Sequence, residues 1–544
     1  MSVHDEVLNQ PPPFGGLNLY ATDPLLQRAV KAWNAERAER RLHEFGALCG
    51  SHEVLEHGVQ ANLHPPVLHT HDRSGHRVDR NEFHPSWHEL MRIAISHGTH
   101  ASPWTDPGPG AHVARCAMSY LRTQVDEGHG CPVTMTFAVI PALRNAPGVY
   151  ERWAPKILSY EYDPTDQPVD RKRGALCGMG MTERQGGSDV RANTTRAVAI
   201  EGDRYRLDGH KWFFSAPQSD AFLVLAQAPG GLSCFLLPRR LDDGRLNGLR
   251  LQRLKDKIGN RSNASSEVEF HGAEAVRIGD EGRGVATIIE MVHHTRLDCC
   301  VGSAATLRRA VAEAVHHARH REAFGARLAE QPLMQQVLAD LCLESAAATL
   351  LAMRIAAAFD RRGDDAREQA LSRILTAVGK YWICRRAITG AAEALECTGG
   401  NGMVQPSPLA RMYVDAPVNS IWEGSGNIQC LDVLRAAARE PESAEALLDL
   451  LGERRGDHPA YDGVLDRVAG AFSGDGPRPD IARSLTENLA LLAQAGLVMQ
   501  HAPAPLAEAF CDARLAAGRG LNFGALGPGA PCADLIEAVV PAPG

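Results

Sequence analysis

Four short segments of this 544-residue sequence hold residues whose types and spacing suit chemistry on a bound ligand. The first is Gly178-Met179-Gly180-Met181-Thr182-Glu183-Arg184-Gln185-Gly186-Gly187-Ser188-Asp189, in which small residues let backbone amides approach a ligand and the Thr182 and Ser188 hydroxyls offer donors to anionic or carbonyl oxygens. The second is Gly209-His210-Lys211-Trp212-Phe213-Phe214-Ser215, where rings beside a hydroxyl can wall a flat heterocycle and bond its edge. The third is Arg319-His320-Arg321-Glu322-Ala323-Phe324-Gly325, which closes an amphipathic helix. The fourth joins Gly399-Gly400-Asn401-Gly402 to Ile421-Trp422-Glu423-Gly424-Ser425-Gly426-Asn427-Ile428; a carboxylate between an aromatic residue and a glycine there can serve as a partly desolvated general base.

Taken singly, each segment has a plainer reading. The glycine-rich stretch is also a tight loop capped by Ser and Asp, and three aromatics on a strand are commonly core. A basic helix C-terminus and an acidic helix N-terminus both satisfy the helix dipole. A dinucleotide fingerprint fits poorly, because no strand, helix and second parallel strand follow the glycines.

The surrounding pattern says which elements must position these residues. From about Pro24 to Tyr160 apolar residues recur at helical spacing, as in Leu25, Leu26, Val30 and Trp33; the Pro- and His-rich stretch from Leu63 to Trp87 interrupts them and predicts long loops. Between Cys177 and Gly279 the period becomes two, and Phe222 to Leu225 and Cys234 to Leu237 predict short strands of an antiparallel β-domain. Helical spacing returns after Gly284, with Leu307, Val311, Ala314 and Ala318 on one stripe. A further helical segment starts near Glu440. The expected fold is α+β and mostly α: a helical domain (residues 1–176), a β-barrel (177–280), a helical bundle (281–440) and a helical extension (441–544). This order lacks the strand–helix alternation of a Rossmann fold.

Composition narrows the classes. The net charge of -8 supplies no global pull toward phosphate backbones. The opening Met1-Ser2-Val3-His4-Asp5-Glu6 has neither a basic nor an apolar leader region, and no run of about 18 apolar residues occurs. With 13 scattered cysteines and no Cys-x-x-Cys pair, reduced thiols in the cytoplasm and no membrane partner are expected. The histidines at 64, 69, 71, 76, 84, 88, 316 and 320 lack Cys partners and a His-Glu-x-x-His helix, so no metal is expected.

Together, the four segments resemble the acyl-CoA dehydrogenase superfamily in order, spacing and flanking structure, over roughly Ala94 to Ala438. The resemblance implies FAD held by Met179, Gly180, Met181, Thr182, Gly187 and Ser188, by Phe213, Phe214 and Ser215, by Ile421, Trp422, Gly424, Ser425 and Asn427, and by Arg321 from a neighbouring subunit of a homotetramer. It implies an acyl-CoA thioester as substrate, with Glu423 removing the α-proton as the β-hydride passes to the flavin. Isovaleryl-type members carry the base just before an arginine that opens a bundle helix; here that position is Thr295, before Arg296, which leaves Glu423 as the matching base. Departures from the family pattern are Phe213 for a strand tryptophan, Arg184 for a loop proline, Glu396 for a flavin-contacting glutamine and Trp422 for a tyrosine.

Extra sequence at both ends narrows the resemblance to a branch with a role in the alkylation-damage response. That branch implies weak, isovaleryl-type dehydrogenase activity and binding of double-stranded DNA through the C-terminal extension. From Pro441 onward, however, 14 acids face 7 arginines, contrary to a nucleic-acid binder's usual balance. A local stripe of Arg435, Arg439, Arg514 and Arg519 is the arrangement that DNA contact requires.

Overall fold

The computed structural model describes residues 7–405, 407–473, 476–516 and 520–542. The chain divides into two compact units: Met1–Leu55, Gly108–Val125 and Arg296–Gly544 form one, and Glu56–Pro107 and Asp126–Thr295 the other.

The second unit contains the β-domain. Strands β3 (Cys177–Gly180), β4 (Arg196–Glu201), β5 (Arg204–Ser215), β6 (Ala221–Ala228), β7 (Gly231–Pro238), β8 (Leu249–Leu254) and β9 (Ser265–Ile278) make one sheet. The pairings β6–β4, β4–β5, β5–β9, β9–β7 and β7–β6 close a circuit, which gives the expected barrel. It is not wholly antiparallel, since β3 and one residue pair of β4 run parallel to β6. The long crossover from β3 through the glycine-rich segment permits the parallel pairing, which a two-residue hairpin could not.

β6 and β7 read as continuous apolar runs because both of their faces are covered. Phe222, Val224, Phe235 and Leu237 fill the barrel interior, while Leu223, Leu225, Cys234 and Leu236 join a second apolar layer with Phe137, Val139 and Ile140 of the Gly130–Leu143 helix.

The Leu63 to Trp87 stretch, expected as loop, instead contains the hairpin β1 (Val67–His71) and β2 (Arg77–Glu82). The cause is the turn between them: Asp72 Oδ1 accepts the amides of Ser74 and His76, and Gly75 adopts φ +88°.

The other unit is helical. Its central Pro332–Arg361 helix is buried from Leu338 to Phe359 and is rich in alanine, which lets neighbouring helices approach closely. By length and composition that helix could cross a membrane, but its apolar window is wholly buried in the unit, where it packs against the Ala366–Cys397 and Ala482–His501 helices. The last of these belongs to the C-terminal extension, and Trp382 Nε1 donates to Gln494 Oε1 at 3.0 Å across that packing.

Candidate functional site

In the β-domain, the glycine-rich loop folds around Glu183. Its carboxylate is wholly buried against Lys211 Nζ (2.9 Å), also buried, and accepts the Thr194 amide at 2.7 Å and the Thr195 hydroxyl at 2.6 Å. Burial alone would raise the Glu183 carboxyl; Lys211 and these hydrogen bonds outweigh it and hold the group well below the usual carboxylate range. Burial likewise draws the Lys211 ammonium down to about 8, against the opposing pull of Glu183.

The loop is also tied to β5, because Trp212 N donates to the Thr182 carbonyl and Arg184 N to His210 Nε2. Gly187 lies so close to Thr182 that a Cβ there would fall 2.4 Å from Oγ1. Neither the Thr182 nor the Ser188 hydroxyl has a hydrogen-bond partner among the described residues, and Ser188 is exposed.

The β5–β9 register slips between Lys211 and Phe214. The resulting bulge turns both Trp212 and Phe213 away from the barrel interior, leaving Phe213 54% exposed, with Lys255 Nζ 3.4 Å from the Trp212 ring centre.

In the helical unit, the Ile421–Asn427 loop leads into the Gly426–Arg439 helix, with Ser425 at its N-cap. Glu423 occupies left-handed backbone (φ +57°), which a side-chain-bearing residue keeps only where its surroundings over-determine it. Three buried side chains do so here. Lys380 Nζ donates to the carbonyls of Trp422 (2.7 Å) and Gly424 (2.6 Å), Arg296 Nε to that of Glu423 (2.9 Å), and Gln429 Nε2 to those of Glu423 (3.1 Å) and Gly424 (2.9 Å). Arg296 is in turn fixed by Asp432, 2.8 Å away. Gly424, at φ +99°, has no room for a Cβ, which would fall 2.7 Å from Gln429 Nε2.

Comparison with known proteins covers both units. The family model for the adaptive response protein AidB N-terminal domain matches residues 9–164, that for the acyl-CoA dehydrogenase middle domain residues 178–273, and that for the acyl-CoA dehydrogenase C-terminal domain residues 282–438. The chain is 45% identical to the AidB protein of Escherichia coli strain K12 over 511 residues, 94% of each chain. The chain belongs to the AidB branch of the acyl-CoA dehydrogenase family. It is also 33% identical to acyl-CoA dehydrogenase family member 11 of Caenorhabditis elegans over 438 residues, 77% of this chain and 70% of the other. The crystal structure of Caenorhabditis elegans ACDH-11 in complex with C11-CoA matches with a TM-score of 0.83 at 27% identity, covering 92% of each chain.

Members of the acyl-CoA dehydrogenase family are FAD-dependent oxidoreductases, and this chain is one of them. The β-domain suits that cofactor: a cradle that excludes a Cβ at Gly187, two unengaged hydroxyls and an exposed aromatic ring are what a flavin nucleotide needs. Not every residue assigned to FAD faces outward. Phe214 is buried in the barrel core against Phe222 and Phe270, because the bulge returns the strand to inward orientation at that residue. Met179 packs its side chain into the second apolar layer, and Gly180 sits against the Phe214 ring; both have only main chain to offer. Ser215 remains part-buried, its Oγ 3.5 Å from that of Ser265.

Arg321 follows the Gly284–His320 helix and donates to the Asn9 carbonyl, and Phe324 on the same turn is fully exposed. Ile421 is exposed, as is Asn427 in the first turn of its helix.

The proposed arginine stripe does not form as expected. Arg514 is buried, paired with both Asp340 and Glu344, so its charge is spent inside the helical unit. Arg519 lies outside the described residues. Arg435 is half-exposed but paired with Asp432, and Arg439 is exposed. Sequence reasoning passed over Lys380, Arg296, Gln429 and the Glu183–Lys211 pair, although both members of that pair stand inside quoted motifs.

Proposed function

We propose that this chain oxidises an acyl-CoA thioester between its α and β carbons, with Glu423 taking the α-proton. The observation that carries this reading is the grip of Lys380, Arg296 and Gln429 on the peptide of a strained glutamate, since strain of this kind is retained where geometry serves function. Bound FAD supplies the acceptor for the β-hydride. Thr182, Gly187, Ser188, Phe213 and Ser215, with Trp422, Gly424 and Ser425, hold the cofactor. Glu423 holds the abstracted proton on its carboxylate, and the fixed main chain keeps that carboxylate from swinging away from the substrate carbon. The ACDH-11 complex with C11-CoA supports a CoA thioester as the substrate class. The protein acts as a homotetramer, which gives the exposed Phe324 and its Arg321 turn a partner, and it acts in the cytoplasm, in keeping with its 13 unpaired cysteines. Anaerobic titration of the yellow holoprotein with straight and short branched acyl-CoAs tests the reading. Bleaching of the flavin by at least one thioester is the expected result, and a flavin that no acyl-CoA reduces sinks it.

A second reading is sequence-independent binding of double-stranded DNA in an alkylation-damage response. One observation favours it: Arg385 NH1 and Arg483 NH2 converge on the N-terminus of the Gly426–Arg439 helix, each 3.6 Å from where a Cβ on Gly426 would lie. Both are exposed, and neither forms an ion pair among the described residues. Two guanidinium groups held together at a helix N-terminus suit a phosphate. With Arg439 they replace the stripe built on Arg514 and Arg519. DNA retention should weaken linearly in log affinity with log salt, and the Arg385→Glu/Arg483→Glu variant should abolish it while sparing the flavin spectrum. Retention that ignores both salt and these charges removes this reading.

A further inference from the structure

A cleft of about 210 Å³ in the β-domain unit is lined by Pro65 and Pro66 on one side and by Lys255, Lys257, Arg261 and Asn263 on the other. Asn263 is 1% exposed, and neither its side-chain oxygen nor its nitrogen is hydrogen-bonded. A buried amide in that condition costs about 1–3 kcal/mol for each unmet group, so the site has a use for a partner carrying both a donor and an acceptor.

The cations around the cleft outnumber the acids. Between residues 253 and 267 stand Arg253, Lys255, Lys257 and Arg261 against Asp256 and Glu267, and Glu267 is already engaged by Arg253 and Lys255. Lys257 Nζ is anchored at the wall by the Asn263 carbonyl (2.8 Å) and Ser265 Oγ (3.2 Å). Arg261 is exposed, with no ion pair among the described residues.

The turn that carries Arg261 and Asn263 is pinned from beneath. Ser262 Oγ donates to the buried Asp126 carboxylate at 3.0 Å and Ser262 N to Asn62 Oδ1 at 3.3 Å. The cleft is smaller than the roughly 300 Å³ that a whole drug-sized ligand fills, so it receives one end of something larger.

We propose that this cleft binds the phosphorylated adenosine end of a ligand, with Arg261 and Lys257 on phosphoryl oxygens and the Asn263 amide on the adenine edge, whose adjacent acceptor and donor match an asparagine. The source is the CoA handle of the thioester, which rests on the proposed dehydrogenase reading, or a free adenine nucleotide.

The test compares one acyl group carried on CoA and on pantetheine, with FAD-loaded wild type and Arg261→Glu. In the variant, KM for the CoA ester should rise about tenfold, with kcat, flavin content and KM for the pantetheine ester unchanged. Lys257→Gln should shift KM in the same direction. Calorimetry of the same holoproteins with free CoA, ADP and pantetheine provides a readout independent of turnover. Binding of the phosphorylated probes that Arg261→Glu removes supports the site even if no thioester reduces the flavin, in which case the dehydrogenase reading alone fails. ADP binding with no change in the KM of the CoA ester assigns the site to free nucleotide. Equal effects on both esters, loss of FAD from the variant, or no binding of CoA and ADP by wild type overturns the proposal.

Discussion

Two glutamates stand at the centre of two loops, and the protein holds them by opposite means. Glu183 is gripped by its side chain: the carboxylate is driven into the barrel onto Lys211, and the loop's hydroxyls and glycines are left at the surface. Glu423 is gripped by its main chain: the carbonyls at 422, 423 and 424 are all taken by buried donors, and the residue is forced into left-handed backbone. The first arrangement makes the acid a structural post around which a ligand cradle is built. The second fixes where an acid stands while directing the restraint at its peptide, as a proton-transferring residue requires.

The sharpest way to break this comparison is to neutralise each acid in turn. Glu423→Gln should keep FAD and lower the rate of flavin reduction by an acyl thioester by about 10²–10⁴-fold, the usual contribution of a positioned general base. Stopped-flow reduction measures it. Unchanged rates would mean that the acid in left-handed backbone is not the base.

The grip itself should matter nearly as much. In Lys380→Met, the Trp422 and Gly424 carbonyls lose a buried cationic donor, each at a cost of about 1–3 kcal/mol, and the peptide of Glu423 is released. Flavin reduction should slow by on the order of 10²-fold, the penalty for misplacing a reacting group by about an ångström. Bound flavin should stay stoichiometric. Equal loss of flavin and of rate would show that Lys380 supports the fold at large rather than the placement of Glu423.

Glu183→Gln tests the other half of the contrast. It leaves Lys211 buried without its counter-charge and should cost about 3–5 kcal/mol of stability, read as a lower thermal midpoint and weaker FAD retention. The Glu183→Met/Lys211→Met double variant should lose less than the single one. The pH dependence has a definite sign. The folded-state carboxyl lies below its ordinary value of 4.5, so its stabilising contribution is complete above about pH 4.5 and is lost as pH falls through and below it. The margin of wild type over Glu183→Gln should therefore shrink on acidification.

Much of this was legible in the residues. The change of period at Cys177 and back at Gly284 marked the β-domain, and the spacing of the four segments carried the family. What stayed hidden had physical causes. Phe214 looked like its neighbours, and only the bulge at Trp212 and Phe213 decides which ring faces inward. The β1–β2 hairpin escaped notice because its strands are polar and its turn rests on one aspartate. Arg514 counted as a surface charge until Asp340 and Glu344, some 170 residues earlier, were seen to receive it. Lys380 carries no local signal at all, since its partners are carbonyls, which every residue has.

The smallest effects should come from the surface of the Glu183 loop, where the contacts are single hydrogen bonds to a ligand. Ser188→Ala removes one hydroxyl that has no partner within the described protein, so it should leave the thermal midpoint of the FAD-free protein unchanged and weaken FAD by about 0.5–1.5 kcal/mol, roughly 2- to 10-fold in Kd. Gly187→Ala should weaken FAD more, because its methyl group would lie 2.4 Å from Thr182 Oγ1, and the β-branched threonine has few rotamers in which to yield. Adding Thr182→Ala to Gly187→Ala should relieve the crowding while sacrificing one donor, so the double variant should bind FAD better than Gly187→Ala alone. A double variant that binds worse than either single one would show that Thr182 and Gly187 contact the cofactor independently, and that the cradle is not set by their mutual packing. Equilibrium titration of the FAD-free proteins with FAD separates these outcomes.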